Sequence, residues 1–234
     1  MSQNTNTMTV ADANDNPLVS NKPSPDVPTP RSSSSSSLTT LSYENGDVYR
    51  GNVKDRKPHG FGKMTYANII LSQKSDFYEG EWIDGKEHGD GKMTSYYAPN
   101  KKKVYDGNWF HGKKNGYGCV YDCDGFYVGE FKGDEYDGLG KMIDDEGSIY
   151  SGSWKEGCFH GLGRKVFENG DFYNGQWKDG EMSGHGRMVF ADGDVYEGEW
   201  LDDKMNGRGK MVYAGGDVFI GQWKDNRMTK HTRM

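Results

Sequence analysis

Only three of 234 residues are cysteine, Cys119, Cys123 and Cys158, and none forms a C-x-x-C pair. An odd, unpatterned set of this kind excludes a disulfide framework and reads as free thiols in a reducing compartment. Apolar residues are also sparse, at 33% with a mean hydropathy of −0.94. No run approaches the roughly 20 apolar residues that a membrane-crossing helix requires. A cationic excess is missing as well: the net charge is −6, so no nucleic acid partner is expected and the global field does not favour an anionic bilayer. The N-terminus lacks a charged-then-apolar leader, which predicts a soluble, cytoplasmic chain.

Aromatic residues are absent from the first 40 positions, where five of the seven prolines lie (Pro17, Pro23, Pro25, Pro28, Pro30), followed by the run Ser32–Ser37. Such a segment cannot bury enough surface to offset its ordering entropy. Residues 1–42 are therefore expected to be a disordered leader. Its serine run reads as a flexible spacer, with a phosphorylation platform as the alternative.

What the rest of the chain has is repetition. A Tyr-x-Gly-x-Trp-like cluster recurs seven times, and the steps from Tyr127 through Tyr150, Tyr173 and Tyr196 to Phe219 are each 23 residues. A fixed period of this length signals a linear array of one small unit. In the copy at Tyr173, the residues Tyr173, Gly175 and Trp177 alternate, so on an extended strand they share one face. Asp179-Gly180 supplies turn chemistry, and Gly186, Met188 and Phe190 alternate on a second strand. Ala191-Asp192-Gly193 then turns into the next copy.

Short connections force antiparallel neighbours. The predicted fold is all-β: an elongated single-layer meander of about seven and a half hairpins over residues 43–229, with a short tail at 230–234. Roughly fifteen strands about 4.8 Å apart would extend on the order of 70 Å. All six tryptophans occupy one register, and only Val53 and Phe131 interrupt it. Each ring, if packed, contributes up to about 4–6 kcal/mol. Glycine two residues before each Trp leaves room for a neighbouring ring to lie against bare backbone.

These residues resemble MORN repeats, the membrane occupation and recognition nexus unit. Tyr78-Glu79-Gly80-Glu81-Trp82 and Tyr196-Glu197-Gly198-Glu199-Trp200 match the family's opening, and a Gly-x-Gly follows each of the seven copies, as at Gly89/Gly91 and Gly207/Gly209. The resemblance covers about Tyr43 to Met228. It implies a scaffold fold whose members attach to catalytic domains or stand alone in cilia, cytoskeletal assemblies and membrane contacts. The leader and short tail leave no length for a catalytic domain, so no enzyme activity and no cofactor are expected.

Candidate binding residues follow from this reading. The aromatic face offers Tyr78, Trp82, Tyr105, Trp109, Tyr127, Tyr150, Trp154, Tyr173, Trp177, Tyr196, Trp200 and Trp223. The first two repeat intervals are 29 and 27 residues, so inserts of 6 and 4 fall near Ala67–Ser75 and Tyr97–Lys103. They carry Ile69, Ile70 and Leu71 on one side and Lys101, Lys102 and Lys103 on the other. Either these are tolerated loop growth or they form a docking rim for an acidic partner or anionic headgroup.

The histidines His59, His88 and His160 sit at equivalent places, and such places are about 9.5 Å apart even in successive copies, too far to share a metal. Glu79/Glu81 and Glu197/Glu199 read as solvated strand-face charge. The function expected is a protein-binding scaffold, in cytoskeletal, ciliary or membrane-associated assemblies. Alternatives are peripheral binding of anionic phospholipid and regulation of a separate enzyme. Phe219-Ile220-Gly221-Gln222-Trp223 reads as a strand without its hairpin mate, which predicts a homodimer through the C-terminal edge.

Overall fold

Alternation of apolar and polar residues between turn signals predicts strands throughout, and strands are what form. The computed structural model describes residues 38–67, 74–98, 100–123 and 125–233. Every regular element within them is a strand. The first half comprises β1 (Thr39–Ser42), β2 (Val48–Lys54), β3 (Lys57–Thr65), β4 (Phe77–Ile83), β5 (Lys86–Ala98), β6 (Lys101–Phe110), β7 (Lys113–Asp122), β8 (Gly125–Lys132) and β9 (Glu135–Asp144). The second half comprises β10 (Ile149–Lys155), β11 (Cys158–Val166), β12 (Phe172–Lys178), β13 (Glu181–Val189), β14 (Val195–Leu201), β15 (Lys204–Val212), β16 (Val218–Lys224) and β17 (Arg227–Arg233).

Each strand pairs antiparallel with its neighbours in the chain, so the sheet is one open meander from β1 to β17. Two-residue turns close the hairpins. Asp179 at φ 51° and Gly180 at φ 94° are typical, and this left-handed pair matches the twist of the flanking strands.

Four expectations change. Among the described residues the strands number 17 rather than about fifteen. The C-terminal copy is not missing its mate: β17 pairs with β16 from Lys224↔Arg227 to Phe219↔Arg233, making eight hairpins. β1 lies inside the segment assigned to the leader and pairs with β2 through Leu41↔Tyr49. The insert at Tyr97–Lys103 does not form a free loop. Its residues lengthen the β5–β6 hairpin, with rungs at Ser95↔Lys103, Tyr96↔Lys102 and Ala98↔Lys101. The leader's serine run and the insert residues Ile69, Ile70 and Leu71 lie outside the described residues.

The core is a single file of rings against bare backbone. Gly175 pairs with Gly186, and the Tyr173 ring lies across that pair. A Cβ on Gly186 would stand 2.1 Å from Tyr173 Oη and 2.3 Å from its Cε2. The ring thus belongs over its own hairpin's glycines, and not a neighbour's. Tyr173 meets Trp177 of its own copy at 5.1 Å and 88°, and Trp200 of the next copy at 5.4 Å and 81°. Edge-to-face contacts of this kind add about 0.5–1.5 kcal/mol each beyond area burial. The pattern continues to both sides, and Phe131 takes the tryptophan role against Tyr105 at 5.0 Å. Residues of the return strands close the gaps: Phe159 stacks on Tyr150 at 3.8 Å, while Met182, Met188 and Met211 are buried beside the rings.

Carboxylates tie successive copies along both long edges. Asp171 Oδ1 accepts from the Ala191 amide at 2.8 Å, and Asp194 Oδ1 from the Ala214 amide at 2.9 Å. On the other edge Asp203 Oδ1 accepts from the Met182 amide at 2.8 Å.

Gly186→Ala forces the Tyr173 ring off its seat and is expected to cost about 3 kcal/mol or more. Gly215→Ala, where an added Cβ meets nothing within 4 Å, should stay within about 0.5 kcal/mol of the parent. Urea melts of the two variants check this, and equal midpoints would show that the ring does not rest on the glycine.

Candidate functional site

The aromatic rings come first, because their spacing makes them the leading candidates for a binding face. The structure buries them. Among the twelve named, exposure runs from 0% at Tyr78, Tyr173 and Tyr196 to 6% at Trp109. Rings this covered by their own neighbours are core, and no partner reaches them without unzipping the ladder. The expected aromatic binding face is therefore corrected to an interior.

The geometry that holds them depends on one residue per copy, the one between the glycine and the tryptophan. In β12 the register shifts between Gly175 and Trp177, so Gln176 alone faces Ser183–His185 of β13. Gly184 at φ 76° turns the chain there. The bulge turns the Gln176 carbonyl to accept from Tyr173 Oη at 3.0 Å, and its Oε1 accepts from the His185 amide at 2.8 Å.

The same pair of bonds recurs at Asn52, Glu81, Asn108, Glu130 and Glu199. Glu81 and Glu199 are thus structural caps rather than idle surface charge. A signal for this was present: the position holds Asn, Glu, Gln or Ser in every copy, side chains that can accept a bond. Tryptophan adds a further tie in four copies, for instance Trp177 Nε1 to the Gly163 carbonyl at 3.1 Å.

Burial acts on the tyrosine hydroxyls. Tyr49 is pushed from 10.0 up to about 12, first by desolvation. Tyr196 is pushed to about 12 as well, by desolvation and then by the Glu199 carboxylate. Tyr78, Tyr105, Tyr127, Tyr150 and Tyr173 move the same way, with burial the largest cause for each.

The middle copies interrupt the apolar ladder with charge. Lys103 pairs with Asp122 at 3.2 Å, and Lys114 lies over the Tyr105 ring at 5.4 Å. Lys103, Asp122, Tyr127 and Tyr136 help line a pocket of about 120 Å³. Small-molecule sites commonly need at least about 300 Å³, so this hollow is too small for one. Lys101 and Lys102 remain exposed at the tip of the β5–β6 hairpin. The rim of three free lysines thus reduces to two.

His59 and His160 lie over the turn aspartates of the next copy, His59 Nδ1 at 3.4 Å from Asp84 and His160 Nδ1 at 3.7 Å from Asp179. His88 packs on His111 at 5.3 Å between ring centres, a pairing of unlike positions that the equal-spacing argument did not anticipate. Among the described residues no three His, Cys, Asp or Glu side chains gather as a metal site would.

The face opposite the rings is the accessible one. Alternation from the ring-bearing glycines sends the middle residue of each Gly-x-Gly outward. Phe61 is 64% exposed, Tyr117 58%, Leu139 56% and Leu162 69%. A half-buried apolar row runs beside them, rung by rung, through Phe172↔Val189, Val189↔Val195 and Val195↔Val212. Between the two lies a charged row, with Lys63–Glu79 at 3.6 Å and Lys92–Asp106 at 3.2 Å. The sequence reading took this face as solvated charge, at Glu79/Glu81 and Glu197/Glu199, and left out the exposed apolar residues between the paired glycines.

A family model described as the MORN repeat matches residues 49–68, 78–96, 105–125, 127–149, 150–172, 173–195, 196–218 and 219–229, well over half of the chain. A search of curated proteins finds no match. Among solved structures, the SAS-4 (dCPAP) TCP domain of Drosophila melanogaster, in complex with a proline-rich motif of Ana2 (dSTIL), is similar. The identity is 14%, over 83% of this chain and 96% of that one, with a TM-score of 0.41. The TCP10 domain of Danio rerio CPAP, in complex with a STIL peptide, matches at 14% identity over 85% of this chain and 100% of that one, with a TM-score of 0.29. At these TM-scores neither likeness bears on what this chain binds.

A hydroxyl whose folded pKa is raised contributes stability that is complete below the unfolded value and lost as pH rises through the folded one. For Tyr49 and Tyr196 that window runs from 10.0 to about 12. Phenolate absorbance, compared between the parent and Tyr196→Phe, should place the Tyr196 ionisation near the top of that window, with urea midpoints falling across it. Ionisation at the ordinary value would mean that the hydroxyl is not buried.

Proposed function

This chain belongs to the MORN repeat family, and we propose that it is a non-catalytic scaffold that gathers partner proteins on the outer face of its sheet. The observation that carries the reading is the exposure of Phe61, Tyr117, Leu139 and Leu162, each more than half open to solvent on a face that nothing else in the chain's described residues covers. Exposed apolar side chains arranged in a line mark interaction surfaces in soluble proteins. The ring ladder supplies stiffness and presents that face.

The proposal includes a cytoplasmic setting on cytoskeletal, ciliary or membrane-associated assemblies. Self-association through the C-terminal edge stays within it, with β17 in place of β16 as the strand that would add a second copy. Binding of anionic lipid has less support, because Lys103 is engaged by Asp122 and Lys114 lies on the Tyr105 ring.

Proximity labelling with the tagged full-length chain in its native cell should mark a reproducible set of proteins. Flotation with anionic liposomes across a salt series should leave the chain behind. No protein neighbours beyond background, together with flotation at low salt, would replace the scaffold reading by the lipid one.

A further inference from the structure

The outer face is not uniform along the array. Its charged row reads Arg50, Lys63, Glu79, Lys92 and Asp106 over the early strands, with cations and acids on adjacent rungs such as Lys63↔Glu79 and Lys92↔Asp106. Over the late strands it reads Arg187↔Glu197↔Lys210, again alternating. From β7 to β11 the alternation stops. The row there holds Cys119↔Val128↔Lys141, then Ser151↔Arg164, so Lys141 and Arg164 face only neutral rungs. The guanidinium of Arg164 lies 4.9 Å from the Phe172 ring centre, and among the described residues no carboxylate forms an ion pair with either cation.

The exposed row concentrates on the same strands. Tyr117, Leu139 and Leu162 stand in three consecutive copies, each more than half exposed. In the other copies that place is taken by Phe61, Asp90, His185 and Arg208, so no second uninterrupted apolar triplet exists. Equivalent positions are two strands apart, about 9.6 Å, and the triplet therefore spans about 19 Å across the strands. That spacing is close to the 10.5 Å or so between residues i and i+7 of an α-helix.

We propose that β7–β11 carry a docking groove for an acidic amphipathic helix of another protein. The helix lies across the strands with its apolar i, i+7, i+14 side chains on Tyr117, Leu139 and Leu162 and its carboxylates on Lys141 and Arg164. This deepens the scaffold reading and rests on it. Charge argues for a helix over a membrane. A bilayer broad enough to touch the triplet also meets the alternating charges of the early and late strands, Lys63–Glu79 and Arg187↔Glu197 among them, and an anionic surface gains no net attraction from such balanced rows. A helix confined to β7–β11 meets Lys141 and Arg164 beside the carboxylate of Glu130, whose Oε1 is already held by the Leu139 amide at 3.1 Å.

The test is a display selection of about 20-residue helical peptides on the full chain, followed by affinity measurements on variants. Enriched peptides should be net acidic with apolar residues seven apart. Leu139→Ser/Leu162→Ser should weaken them about tenfold or more, and Lys141→Glu should weaken them as well. Phe61→Ser, outside the triplet, should leave them unchanged. Because both leucines are exposed, the double variant should melt with the parent.

Four results would overturn the proposal: no enrichment, enrichment of basic or neutral peptides, binding insensitive to the double variant, or loss in that variant of binding to phosphatidylserine-rich vesicles instead. Proximity labelling separates the two levels. Labelled proteins that persist in Leu139→Ser/Leu162→Ser leave the scaffold standing and remove this groove, whereas an unlabelled parent chain removes the scaffold itself.

Discussion

The contact on which everything else rests is a tyrosine ring seated on two paired glycines. It is small, but it repeats in the seven copies from Tyr49 to Tyr196 and it has no slack. The glycines bring the ring flat onto backbone, the bulge after them turns a carbonyl toward its hydroxyl, and tryptophans from two copies meet its faces edge-on. A single sheet has no second layer to bury its apolar side, and interlocked rings are the substitute. Each copy is incomplete without the next, since Trp200 covers Tyr173 and Trp223 covers Tyr196. This is why such units occur in arrays.

That packing decides where function can lie. A ring needed to hold its neighbours cannot also be lent to a partner, because withdrawing it exposes the rings on both sides. The residues free to vary are on the opposite face, where Gly-x-Gly needs its two glycines but places no demand on the residue between them. The chain uses this freedom unevenly, with leucine or tyrosine in three successive copies and charge or imidazole in most of the others. The scaffold is repetitive, and its surface is not.

Much of this was legible in the sequence. The 23-residue period and the register of Tyr173, Gly175 and Trp177 gave strand order, turn positions and the ladder itself. That the rings pack as a core was legible as well, but that this packing closes them to a partner was not, because alternation reports which side a residue faces and not how fully that side is covered. The role of Gln176 was hidden for a different reason: a bulge breaks the alternation on which the reading depended. β17 escaped notice because Arg227–Arg233 lacks the Gly-x-Gly signature, although Met228 follows Trp223 at the spacing of Met182 from Trp177. The lysine insert reads as a loop by length alone, yet its extra residues add rungs to the β5–β6 hairpin.

The claim that the aromatic ladder is interior is tested most directly by acrylamide quenching of tryptophan fluorescence in the folded and urea-unfolded chain. All six indoles are 6% exposed or less. The folded chain should therefore be quenched several-fold less than the unfolded one, along a single shallow line. Comparable quenching in the two states would mean that the rings stand open to solvent, and the account of both the core and the outer docking face would be wrong.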